Sequence, residues 1–138
     1  MKIAALSYFF VATGGALGAM ARYALRVALQ RGETLPLGTL SANLLGCLMM
    51  GIVMQMVASS AWFNASGIIP DQYRLLFAVG FCGSFTTLSA LMFELSVYLQ
   101  RNDILAAFSY LLVTIIGGFA CFYAGVMLTR ALMTGNSI

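Results

Sequence analysis

Gly80-Phe81-Cys82-Gly83-Ser84-Phe85-Thr86-Thr87-Leu88-Ser89-Ala90-Leu91-Met92-Phe93-Glu94 is the stretch on which the fold turns. It sits within an uncharged run, residues 75–93. At ~1.5 Å per residue such a run reaches roughly 28 Å as a helix, close to the ~30 Å hydrocarbon thickness of a bilayer. Gly80, Gly83 and the Thr86-Thr87 pair lower helix propensity at its middle. Backbone opened there would present carbonyl oxygens at mid-membrane, tolerated only where they meet other protein, water or a cation. The competing reading is a close-packed glycine contact between two helices.

Outward from this stretch, three further uncharged runs appear, at residues 3–21, 34–70 and 104–129. The second is too long for one helix. Trp62, Asn64, Ser66, Gly67 and Pro70 make its later part a polar, turn-prone connection. The expected architecture is an all-α membrane protein, a single domain over residues 1–138. Its four transmembrane helices would lie at about 3–28, 37–59, 75–99 and 104–129, with a break in the third. A barrel is excluded, since the runs lack strand alternation. The first run follows Lys2, as in a signal peptide. Gly14, Gly15 and Gly18 interrupt it and Arg22 and Arg26 follow it, so it is expected to stay as a span.

Composition supports this reading. Of 138 residues, 62% are hydrophobic and 8% charged, against about 25% charged in a soluble domain. Mean hydropathy is +0.96. So short a chain cannot bury that much apolar surface in one soluble core. An ordinary soluble enzyme, a disordered tail and a disulfide scaffold are excluded. The net charge of +3 is scattered, not gathered into a stripe for nucleic acid. There is no histidine. Cys47, Cys82 and Cys121 are far apart in apolar stretches and read as small packing residues, with no zinc ligand set. Acid–base and hydrolytic catalysis have little to work with, and no enzyme is expected.

The bases divide evenly between the two ends of the spans. Lys2, Arg74 and Arg130 fall on the side of the N-terminus, and Arg26, Arg31 and Arg101 on the other. The positive-inside rule therefore assigns almost no orientation. Either a single charge decides, or the chain inserts both ways and pairs with its own inverted copy.

Polar groups inside the spans are few. Arg22 lies four residues after Gly18 and can snorkel to the interface. Asn43 lies in the second span, where an amide donates two hydrogen bonds or joins helices. Tyr110, Thr114 and Gly118 are four apart and share one face of the fourth span, a wet or packed face. Gly14-x-x-x-Gly18 has the spacing for close helix approach.

Together these residues resemble the Fluc/CrcB family of bacterial fluoride channels. The resemblance rests on Gly14-Gly15-Ala16-Leu17-Gly18-Ala19 with Arg22-Tyr23, and on Pro36-Leu37-Gly38-Thr39-Leu40 with Asn43-Leu44-Leu45-Gly46. It rests above all on Gly80 to Thr87, ending in Glu94. It implies an antiparallel, dual-topology homodimer in the bacterial inner membrane, with two fluoride pores along the subunit interfaces. It implies a central structural sodium ion held by the backbone carbonyls of Gly83 and Thr86 from each subunit. The implied fluoride pathway has Asn43 as amide donor, Arg22 favouring anions at the mouth, and Tyr110 and Thr114 as a hydroxyl track. Thr39, Ser89, Leu88 and Leu91 complete its lining. Fluoride is small and strongly hydrated, so its dehydration needs close donors, and a larger halide fits such a path poorly.

The family pattern places two phenylalanines where this chain has Leu88 and Leu91, whose side chains lack an electropositive ring edge. Phe85 and Phe93 stand nearby at other helix angles. Ala90 and Gly118 also replace hydroxyl residues. A non-conducting or heterodimer-partner subunit of the same family is therefore an alternative. A second is a small proton-coupled four-helix exporter, which needs a carboxylate in the first span, where none stands.

Overall fold

The computed structural model describes residues 2–29, 36–59 and 70–135. Arg31 of the charge count lies outside them, as do Trp62, Asn64, Ser66 and Gly67 of the expected connection. No strand occurs among the described residues. The long helices are α1 (Lys2–Leu29) and α2 (Leu37–Ala58), the latter opened by Pro36, whose carbonyl accepts from the Leu40 amide at 3.1 Å.

The third expected helix is more segmented than the sequence foretells. It begins at Pro70 rather than near residue 75, with α3 (Pro70–Tyr73). A proline in a first turn gives up no hydrogen bond, and Asp71 there complements the helix dipole. The chain then winds as a π-helix over Arg74–Cys82 and closes with one α turn, α4 (Gly83–Phe85). Thr86 and Thr87 are extended, at φ −84°, ψ 155° and φ −152°, ψ 118°. The helix resumes as α5 (Leu88–Gln100). The break expected from the threonine pair is present, at those two residues.

A tight turn leads into α6 (Ile104–Gly135). Asn102 takes the left-handed conformation at φ 57°, which a short amide side chain tolerates. Asp103 Oδ1 caps α6 by accepting from the Ala106 amide at 3.1 Å. The helix continues past the expected end at residue 129. Thr129 and Thr134 bond their hydroxyls back to the carbonyls of Gly125 and Arg130, each at 2.9 Å, so these polar residues do not end the winding.

Two pairings organise the packing, α2 with α6 and α1 with the π-helical stretch. The second depends on glycine. A side chain on Gly18 would strike the Phe81 carbonyl, and one on Gly80 would come within 2.8 Å of the Val11 carbonyl oxygen. The Gly14-x-x-x-Gly18 spacing is thus a backbone-to-backbone contact. Cys82 is buried beside it, as expected of a packing thiol; Cys47 and Cys121 are half-buried.

Large apolar side chains face outward along the long helices, among them Phe9, Met54, Phe93 and Phe119. Among the described residues, three helices are long and apolar enough to cross a membrane: Leu37–Ala58, the broken Asp71–Gln100, and Ile104–Thr134. The 28-residue α1 has the length, with its hydropathy lowered by glycines and by Arg22 and Arg26.

Candidate functional site

The break frees backbone groups that a continuous helix would pair, and side chains take them up. The Thr87 amide would ordinarily close on the Gly83 carbonyl. It donates to Asn43 Oδ1 at 2.8 Å, while Asn43 Nδ2 donates to the Thr87 carbonyl at 3.4 Å. Asn43 therefore pairs with both backbone groups of one residue of the break, Thr87, much as a neighbouring strand would. The Ala90 amide would ordinarily close on the Thr86 carbonyl. It donates to Thr87 Oγ1 at 3.3 Å, capping α5. Gly83 and Thr86 are thus two of the carbonyls whose usual amide partners are drawn elsewhere. The Cys82 carbonyl accepts from both the amide and the hydroxyl of Thr86, at 3.0 and 2.9 Å.

Arg22 acts from α1. Its Nε donates to the Ser84 carbonyl at 3.1 Å, so a cation meets the carbonyl end of the first arm, residues 70–85. That contact joins α1 to the break across the Gly15 surface, where Ser84 Oγ lies 3.2 Å from the position a Cβ would take.

A second polar centre lies among α2, α5 and α6. Glu94 receives two hydroxyl hydrogens, from Thr39 Oγ1 on Oε1 at 2.5 Å and from Tyr110 on Oε2 at 2.7 Å. Each of its two oxygens thus accepts from a different helix, α2 on one side and α6 on the other. Thr39 and Tyr110 are buried, at 3% and 7% exposure, while Glu94 is half-buried. Thr39 and Asn43 are one turn apart on α2, so a single helix face serves both centres.

The remaining pathway candidates take separate places. Thr114 is buried and its hydroxyl donates to the Tyr110 carbonyl at 2.8 Å. It also lines a groove of about 420 Å³ with Cys47, Gly118 and Phe122. Ser89 Oγ lies 3.1 Å from Thr87 Oγ1 beside the break. Leu88 and Leu91 part company, the first 69% exposed and the second buried at 4%. Phe85 is buried and stacks on Phe81, and Phe93 is exposed.

Glu94 is the residue that sequence reasoning missed as part of the site. In the sequence it stands as the charge ending an apolar run and as the close of the stretch that carries the resemblance, with no place among the pathway residues. Its signal was that a carboxylate so placed needs donors from other helices.

The family model described as "CrcB-like protein, Camphor Resistance (CrcB)" matches residues 9–126. Three similar curated proteins each carry the name "Fluoride-specific ion channel FluC". One from Chlorobium phaeobacteroides (strain BS1) is 39% identical over 121 residues, covering 87% of this chain and 90% of its own. One from Gloeobacter violaceus (strain ATCC 29082 / PCC 7421) is 41% identical over 125 residues, covering 88% and 94%. One from Gloeothece citriformis (strain PCC 7424) is 34% identical over 127 residues, covering 91% and 98%.

Proposed function

The chain belongs to the CrcB family, and we propose that it is a fluoride-selective channel of the bacterial inner membrane that drains cytoplasmic fluoride passively. The carrying observation is the kinship: relatives about as similar as 41% over most of both chains are named for fluoride conduction. Those names describe a channel and not an enzyme, in line with the sequence expectation.

In this reading α1 is the fourth crossing helix and residues 1–138 form one domain. Two copies pair antiparallel, which the even division of bases accommodates. Two fluoride pores run along their interfaces. A small anion sheds water only where hydrogens replace it, and this chain offers neutral ones. Asn43 has a second amide hydrogen beyond the one given to Thr87. Thr39, Tyr110, Ser89 and Thr114 bring hydroxyls, and Arg22 biases the mouth toward anions. A larger halide cannot hold all of these donors at short range at once.

The residues at the break also fit a structural sodium ion on the axis between two copies. Carbonyl oxygens suit a small hard cation. Gly83 and Thr86 are the positions where the Asn43 and Thr87 side chains draw the amides away. Bound there, sodium would neutralise carbonyl dipoles that otherwise face each other in a dry centre.

Leu88 and Leu91 favour a second reading, a subunit that conducts only beside a different partner. Efflux from liposomes decides between them. Chain purified alone and reconstituted with sodium should release fluoride promptly, read by electrode, and release no chloride. Release no faster than from empty liposomes would remove the channel reading.

A further inference from the structure

We propose that the cleft where α1 and the third span begin holds the headgroup of a zwitterionic phospholipid, one carrying a phosphate and a primary ammonium. The proposal stands apart from the fluoride reading and needs no conduction.

The cleft encloses about 520 Å³ and takes its walls from both segments, a size within the ~300–1,000 Å³ of small-ligand sites. Those walls divide by chemistry. Leu6, Phe10 and Leu75 are apolar, while Ser7, Asp71 and Arg74 are polar. The division fits the place. Asp71 opens the apolar stretch that runs to Gln100, and α1 begins at Lys2. The cleft therefore straddles the boundary between water and hydrocarbon. A phospholipid has the same order, a charged head beside apolar chains.

Two opposite charges share the polar wall without satisfying each other. Arg74 Nε stands 3.9 Å from Asp71 Oδ1, beyond the ~3.2 Å reach of an N–H···O bond. Their side chains are 47% and 83% exposed. Each keeps hydrogen-bonding capacity for a third party. The guanidinium offers a planar fork that suits phosphate oxygens. The carboxylate accepts only, which suits the hydrogens of an ammonium. A headgroup with both charges meets both residues at once. An anionic headgroup would meet Asp71 as a like charge, and a trimethylated ammonium has no hydrogen to give it. The pair therefore selects phosphoethanolamine over phosphoglycerol and phosphocholine, with the acyl chains leaving along Leu6, Phe10 and Leu75.

The test offers the full chain, in a neutral detergent, equal amounts of phosphatidylethanolamine and phosphatidylcholine with the same acyl chains, and counts the lipid retained by native mass spectrometry. Wild type should retain the ethanolamine lipid about tenfold over the choline lipid, close to the worth of one hydrogen bond to a charged group. Asp71→Asn should bring that ratio within about twofold, and Arg74→Gln should lower retention of both lipids about tenfold. The wild-type competition needs no variant to fold. Equal retention of the two lipids by wild type would leave the cleft to water or to a second copy of the chain, and would overturn the proposal. A preference that survives intact in Asp71→Asn would place the selecting group elsewhere and overturn it as well. Glycerophosphoethanolamine, which has the same head and no acyl chains, separates a lipid from a soluble phosphate ester. In tenfold excess it should leave the bound lipid in place. Full displacement would show that the apolar wall takes no part, and would remove the lipid assignment.

Discussion

The break at Thr86–Thr87 and the Glu94 centre are both polar islands in an apolar chain, and they are built in opposite ways. The break is made of backbone. Among its oxygens are those of Gly83 and Thr86, and the side chains around it divert the amides that would cover them. The Glu94 centre is made of side chains, and there hydrogens converge on a single negative group. One island is left rich in acceptors and the other rich in donors. Acceptors favour a cation and donors an anion, so in the proposed channel the two islands would serve ions of opposite sign without a ring of fixed charge. Thr39 and Asn43, a turn apart on α2, tie the islands together, and each reaches a different one.

The sharpest way to break this contrast is Asn43→Asp. Aspartate keeps the acceptor for the Thr87 amide and loses the donor toward the Thr87 carbonyl. It also sets a negative charge beside the donor-rich path. Two like charges roughly 4 Å apart at an effective dielectric of 20 repel by about 4 kcal/mol, so fluoride efflux should fall roughly a thousandfold. Cross-linking should still recover the dimer. Unchanged efflux would take Asn43 out of the path and leave it as a clasp on the break.

Sodium tests the acceptor-rich island. Replacing it with a large organic cation throughout purification should lower the thermal midpoint of the protein in detergent. A ligand present at 100 times its Kd contributes about 2.7 kcal/mol. If the midpoint does not move, Gly83 and Thr86 hold no cation.

Arg22 separates the two islands again. If it positions the break through the Ser84 carbonyl, Arg22→Gln should cost about 2 kcal/mol, as expected for a hydrogen bond to a charged group. Arg22→Lys should recover little of that, because an ammonium lacks the fixed Nε geometry. If its charge at the mouth is what counts, Arg22→Lys should restore efflux. Melting curves and efflux on the same two variants decide which.

The helices and the break were legible locally. Runs without charge mark α2, the third span and α6, and glycines with a threonine pair mark the place where the third span opens. The π-winding of Arg74–Cys82 was not legible. It is bound up with how the backbone of α1 fits at Gly14, Gly18 and Gly80, a contact between distant segments. The place of Glu94 among three helices escaped for the same reason. Its partners Thr39 and Tyr110 lie 55 and 16 residues away on other helices, so nothing adjacent to it reports them. The contact of Arg22 with Ser84, 62 residues on, was equally hidden and was read as snorkelling.

The smallest effects come from the two leucines, and they sharpen the comparison most finely because the leucines share one helix of the donor-rich side yet differ in surroundings. Leu91 is buried at 4%. A phenylalanine there must displace packed neighbours, and Leu91→Phe should cost about 1 kcal/mol, the low end of overpacking. Leu88 is 69% exposed in the single chain, so Leu88→Phe should change stability by no more than about 0.5 kcal/mol. Its value lies in efflux. A ring at residue 88 offers an electropositive edge that leucine lacks. If the donors of α2 and α6 already meet the needs of the anion, Leu88→Phe leaves efflux within about twofold, which is under 0.5 kcal/mol. A large gain would mean that the hydroxyls and the amide fall short without an aromatic edge, and that Leu88 is what slows this chain.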